Sequence, residues 1–129
     1  MPAPVNVNTT SAAAVTTGGA TETAVLTTSG NNVDTVQKKV SIIGFLNITP
    51  GTSATACVIK IRRNTVSGTQ VGTTESPIDV AATSQTISFG ATDTPGESAN
   101  LVYVVTVTET SAGANGTVNV VQATVIVSQ

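Results

Sequence analysis

From Ala12 to Ser128 the chain is written in short runs of β-branched residues, each stopped by glycine, proline or asparagine. "AAAVTT" (12–17) stops at Gly18-Gly19 and "TETAVLTT" (21–28) at "SGNN". "VQKKVSIIGFLNI" (36–48) stops at Pro50-Gly51 and "TACVIKIRR" (55–63) near Ser67-Gly68. "QTISFGA" (85–91) stops at Pro95-Gly96, "NLVYVVTVTET" (100–110) at "SAGANG", and "TVNVVQATVIVS" occupies 117–128. "GTQVGTT" and "PIDVA" between them are weaker and suit an edge strand or a loop. Val and Thr carry two heavy atoms on Cβ, which stiffens χ1 and favours a pleated sheet. No stretch has helical period. Strands this short and this evenly spaced predict an all-β sandwich or barrel.

One phrase occurs twice. "TPGTSATACV" (49–58) and "TPGESANLVY" (94–103) share Thr-Pro-Gly, then Ser-Ala, then an apolar strand. Proline followed by glycine suits a type II turn, with glycine at positive φ. Two equivalent crossovers between sheets account for the pair, and a jelly roll offers such equivalence. The expectation is a two-sheet antiparallel β-sandwich of jelly-roll type, with about eight strands. The strands around Ile59 and Tyr103 should then lie side by side in one sheet. Independent selection of a favourable turn is the alternative. Asn115-Gly116 is a hairpin signal, unless the sandwich uses that turn as a third crossover. The sandwich is expected over 12–129 as one domain. The first eleven residues, "MPAPVNVNTTS", hold two prolines and no burial period, and read as an extended arm.

Alternation assigns faces. Cys57, Ile59 and Ile61 share one side of their strand, and Lys60 and Arg62 the other. Cys57 is therefore read as a small core hydrophobe. In 36–48, Val40, Ile42, Leu46 and Ile48 make one face. Ile43 and Phe45 fall on the other, among Lys39, Ser41 and Asn47. Either a bulge at Gly44 re-registers the strand, or Ile43 and Phe45 are covered by this chain's loops or by another subunit.

Composition closes several functional classes. Charged residues are 9% of the chain, against about 25% on average, and the net charge is −2. A nucleic-acid binder needs a surplus of Lys and Arg for phosphates. The chain contains no histidine and one cysteine. The commonest general base, a Cys-His pair and an imidazole or thiolate metal site are all missing. The seven acids are scattered, and no two lie closer than four residues apart. Asp93 and Glu97 flank the second Thr-Pro-Gly, where a carboxylate pair or a weak calcium site would have to form. The reading is a protein that is not an enzyme and takes no cofactor. No apolar run approaches the ~20 residues of a membrane helix. The first residues lack the basic and apolar regions of a signal peptide, so folding in a reducing compartment is expected and the N-x-Thr sequons at Asn8, Asn47 and Asn115 read as chance matches. All five basic residues, Lys38, Lys39, Lys60, Arg62 and Arg63, fall in two consecutive strands. They are either ordinary solvated positions or a patch for an acidic partner.

The low-charge Thr/Val strands, "VIKIRRNTVSGTQVG" (58–72), "DTPGESANLVYVVTV" (93–107) and the final two-strand run resemble the jelly-roll decoration, or cement, proteins of tailed bacteriophage capsids. The resemblance covers roughly Ala12 to the end and is one of pattern; related sandwiches occur in tail fibres and tumour-necrosis-factor-like domains. It implies a homo-oligomer, dimer or trimer, made in the host cytoplasm and bound to the major capsid protein on the virion exterior. Candidate contacts are Ile43, Phe45, Lys39, Lys60 and Arg62, with Pro2, Pro4, Val5 and Val7 of the arm. The alternative is a receptor- or glycan-binding module of a tail fibre or adhesin.

Overall fold

The computed structural model describes residues 6–33 and 39–128. Among these residues ten strands run in chain order: β1 (Asn6–Thr16), β2 (Thr23–Thr27), β3 (Asn31–Val33), β4 (Lys39–Thr49), β5 (Ala56–Arg63), β6 (Gln70–Pro77), β7 (Gln85–Asp93), β8 (Ser98–Leu101), β9 (Tyr103–Thr110) and β10 (Thr117–Ser128). One sheet has the order β1-β10-β4-β7 and the other β2-β9-β5-β6, with β3 paired to β8. Every pairing is antiparallel.

The topology is a long hairpin rolled up. β5 pairs with β6, β4 with β7, β3 with β8, β2 with β9 and β1 with β10, each about the same turn. This is a jelly-roll sandwich. The ten elements correspond to the eight strands expected, two of them interrupted. β2 and β3 are broken at 28–30, and β8 and β9 at Val102. The Thr28 N–H donates to Tyr103 O (2.9 Å), and the Tyr103 N–H donates to Thr28 Oγ1 (2.9 Å). A hydroxyl thus replaces a ladder group across the break, and the Thr28 and Tyr103 donors are both satisfied.

The core lies between the sheets and is built by period-two alternation. Ile42, Leu46 and Ile48 of β4 and Val121, Ala123, Val125 and Val127 of β10 face Cys57, Ile59 and Ile61 of β5 and Tyr103, Val105 and Val107 of β9. Each buried aliphatic side chain stabilises the fold by roughly 1.5–3 kcal/mol. Cys57 is fully buried, and burial pushes its thiol up to about 12.

The strands around Ile59 and Tyr103 are neighbours, with Ile59 opposite Val107 and Arg63 opposite Tyr103. The first Thr-Pro-Gly carries the chain from the first sheet to β5 of the second, and the other leads through β8 into β9 of the second. They sit at opposite ends of the sandwich, because β4 and β7 run antiparallel with Val40 opposite Asp93. Gly96 has φ +78°, as the turn chemistry predicts. Gly51 is required for a different reason: a Cβ there would come within 1.7 Å of Ala114 O. The Asn115-Gly116 turn is a third crossover and makes no hairpin, since β9 and β10 lie in different sheets.

Residues 6–11 depart from the expected arm. They are the first half of β1 and pair with β10 from Asn6↔Val127 to Ser11↔Gln122. Backbone hydrogen bonding to the long valine strand orders this polar segment, and its side chains carry no burial signal. Pro2, Pro4 and Val5 lie outside the described residues. β4 also has no bulge at Gly44. Its register against β7 is unbroken, and the shift lies on β10 between Val118 and Val120. Gly44 stays in phase because the Phe89 ring occupies the space beneath it; a Cβ there would lie 2.7 Å from Phe89 Cζ.

Candidate interaction surface

With Ile42, Leu46, Val121 and Val125 turned inward, their neighbours form the outer face of the β1-β10-β4-β7 sheet. The registers align it in rows. Thr9, Thr124, Ile43 and Gly90 make one row, and Ser11, Gln122, Phe45 and Ser88 the next. Val7, Ile126, Ser41 and Thr92 flank them on one side, and Ala13, Val120, Asn47 and Thr86 on the other. None of these residues carries a charge. Lys39, at the start of β4, stands at the margin.

Several polar side chains on this face bond to one another. Thr9 and Thr124 share a hydroxyl–hydroxyl bond of 2.9 Å. Asn119 Nδ2 donates to Asn47 Oδ1 (2.8 Å) and to Thr49 Oγ1 (2.9 Å), and Asn47 Nδ2 donates to Thr86 Oγ1 (3.0 Å). Such pairing lowers the desolvation cost of covering them. In the middle lies a shallow depression of about 290 Å³ lined by Ile43, Gly44, Phe45, Ser88, Gln122 and Thr124. Ile43 is 56% exposed and Val7 59%, while Phe45 is half-buried. The two apolar candidates from the sequence therefore share one open site. Val7 stands in the row next to that of Ile43, two strands away on β1.

The cations do not join them. Lys60 and Arg62 lie on the second sheet, so they face away from Ile43 and Phe45. Arg62 is also no free charge. Its Nε donates to Glu22 Oε2 (2.6 Å), its Nη2 to Glu22 Oε1 (2.9 Å), and its Nη1 to Gly68 O (3.0 Å). The Thr106 hydroxyl also donates to Glu22 (2.6 Å) beneath this fork and is fully buried. Arg63 turns to the sandwich end and grips Asp93. The expected patch shrinks because neutralisation within the chain takes both arginines. Lys38 lies outside the described residues.

The Arg62 fork holds Glu22 at about 2, against an ordinary 4.5; burial opposes this, and Thr106 and Lys60 assist. The folded state therefore binds this proton more weakly than the unfolded state does. The stability it contributes is complete above pH 4.5 and is lost as pH falls towards 2. Allowing for partial exposure, that is about 1–2 kcal/mol. Urea titrations across this window should show Glu22→Gln less acid-sensitive than the parent; equal sensitivity would remove the fork from the account.

Each end of the sandwich is closed by a buried carboxyl group. At one end Glu109, fully buried at the close of β9, accepts from the Gly51 N–H (2.7 Å), the Gly116 N–H (3.0 Å) and the Thr17 hydroxyl. It joins the β1 exit, the first Thr-Pro-Gly and the entry to β10. At the other end Asp93, just before the second Thr-Pro-Gly, takes the Arg63 Nε (2.8 Å), Arg63 Nη2 and the Tyr103 hydroxyl (2.8 Å). Burial alone would raise Asp93, but the bonds from Arg63 and Tyr103 outweigh it and hold it below the usual range. Burial and Asp93 together push the Tyr103 phenol up. Asp93 and Glu97 do not converge, because Asp93 turns inward and Glu97 is exposed. Among the described residues no three Cys, Asp or Glu side chains come together as metal ligands.

No protein-family model matches the chain, and no curated protein sequence does. Among solved structures it is similar to particles of infectious bursal disease virus. Against the T=1 particles derived from that virus the TM-score is 0.68 at 11% identity, covering 98% of this chain and 32% of that one. Against VP2 in the subviral particle the values are 0.64 and 14%, covering 98% and 34%. Against the Gx strain they are 0.61 and 17%, covering 96% and 33%. The chain thus spans about a third of the length of each. At these identities the likeness is one of fold, a jelly-roll sandwich.

Proposed function

We propose that this chain is a structural virion protein, without catalytic activity or cofactor, that binds the outside of a phage capsid and bridges neighbouring capsomers. The observation that carries this reading is the uncharged four-stranded outer face with Ile43 and Phe45 at its depression. A surface without charges meets a shell subunit at little electrostatic desolvation cost, and its apolar anchors supply the gain. Packaged DNA presses outward on a shell. A protein seated on two or three capsomers must let go of all of them before they part, and engagement of several sites raises effective concentration. The viral likeness of the fold supports the reading.

The test is co-sedimentation with assembled capsids. Ile43→Lys and Phe45→Ser change outward side chains, so the domain should stay folded. Each is expected to lower capsid affinity by about tenfold, the effect of a contact worth about 1.4 kcal/mol. Unchanged occupancy in both variants would remove this face as the contact. Deleting residues 2–10 would not be a clean test, because it strips half of β1 from β10.

One observation favours the alternative of glycan binding. Asn6, Asn8, Asn31 and Asn32 line a polar depression of about 300 Å³ near the β1–β3 end. Binding of purified protein to a glycan array, abolished by Asn32→Ala, would favour that reading; an empty array would count against it.

A further inference from the structure

Asn115-Gly116 lies in the crossover from β9 to β10, and the packing compels the glycine. A Cβ at 116 would stand 2.5 Å from Glu109 Oε1 and 2.6 Å from Thr49 O. The chain must therefore place an asparagine before a residue with no side chain to shield its nitrogen. Asn115 is exposed to water, while Gly116 is buried. We infer that Asn115 is a site of spontaneous succinimide formation, kept closed by Glu109 and Thr17.

The chemistry needs only water. The Gly116 nitrogen loses its proton to solvent base and attacks Asn115 Cγ. A new C–N bond forms, the carboxamide C–N bond breaks, and ammonia leaves. Water then opens the five-membered ring at either carbonyl, giving aspartate or isoaspartate. Two conditions must be met: the Gly116 N–H must be free to ionise, and its nitrogen must swing towards Cγ. The fold denies both. That N–H donates to Thr17 Oγ1 (2.9 Å) and to Glu109 Oε2 (3.0 Å), and the Thr17 hydroxyl in turn donates to Glu109. The Thr17 N–H also donates to Gly116 O (3.0 Å), so both sides of the glycine are pinned to the strand exit of β1. Conversion would add a negative charge and, as isoaspartate, one main-chain carbon beside Glu109, where the crossover has no spare room. The carboxyl clamp thus guards the covalent integrity of the chain as well as joining the sheets. This inference does not depend on the proposed virion role.

The test is peptide mapping by mass spectrometry after prolonged incubation of the full chain at mildly alkaline pH. The folded parent should convert Asn115 at least about tenfold more slowly than the same chain in denaturant, the factor expected for one hydrogen bond worth about 1.4 kcal/mol. Thr17→Val should raise the rate severalfold but short of the unfolded rate, because Glu109 Oε2 still accepts the Gly116 N–H, and Thr17→Ser should stay near the parent. Hydrogen exchange of the Gly116 amide is the second measurement, and decides should Thr17→Val fail to fold. Slow exchange supports the guard. A folded parent that converts at the denatured rate, a folded Thr17→Val with the parent's rate, or fast exchange at Gly116 each overturns it.

Discussion

Glu109→Ala should destabilise the protein by about 4 kcal/mol. The side chain is fully buried and accepts from two backbone N–H groups and one hydroxyl. Removing it leaves the Gly51 N–H with no partner in a dry site. The Gly116 N–H keeps the Thr17 hydroxyl, which also still accepts from the Gly19 N–H. Each orphaned buried group costs about 1–3 kcal/mol, and the missing side-chain volume adds a cavity. A domain of this size has about 5–15 kcal/mol in total, so the loss is a large share. Urea unfolding should show a midpoint lower by about 2 M at an unchanged slope. Glu109→Gln should fall between, since its amide offers one acceptor where two oxygens now accept. A change under about 1 kcal/mol for the alanine variant would mean that the clamp does not hold this end.

The opposite end should respond less, and for a stated reason. Asp93→Ala is expected to cost about 2–3 kcal/mol. Tyr103 is fully buried, and its hydroxyl loses the only acceptor it has among the described residues. Arg63 is 29% exposed and recovers water, so its loss is partial. Tyr103→Phe removes both the donor and its need, and should cost about 1 kcal/mol. In a double-mutant cycle, Asp93→Ala in the Tyr103→Phe background should be milder than alone. Additive losses would show that the two side chains do not act together.

Much of the fold was legible in the residues. β-branched runs and their breakers placed the strands, and parity placed Cys57, Ile59 and Ile61 inside. The repeated Thr-Pro-Gly pointed to paired crossovers and to the β5–β9 contact. The first half of β1 escaped because its order comes from the backbone of β10, which leaves no mark on side-chain pattern. Gly44 looked like a bulge because the aromatic ring that fills its place belongs to β7.

The proposed face was half legible. Ile43 and Phe45 stood out as apolar residues at solvent positions. The pairing of Arg62 and Arg63 left no mark in the sequence, because the carboxylates that neutralise them lie 40 and 30 residues away. The two clamps had a readable signal. Glu109 shares parity with Tyr103, Val105 and Val107, and Asp93 with Ile87, Phe89 and Ala91. An acid at the last inward position of an apolar strand has to find donors there.

Electron cryo-microscopy of the assembled particle with the chain bound tests the central claim most directly. The account predicts sandwich density outside the shell, with the β1-β10-β4-β7 face and Phe45 turned to the capsid and each copy touching more than one capsomer. Particles that carry no copies, or copies attached through the β2-β9-β5-β6 face, would contradict it.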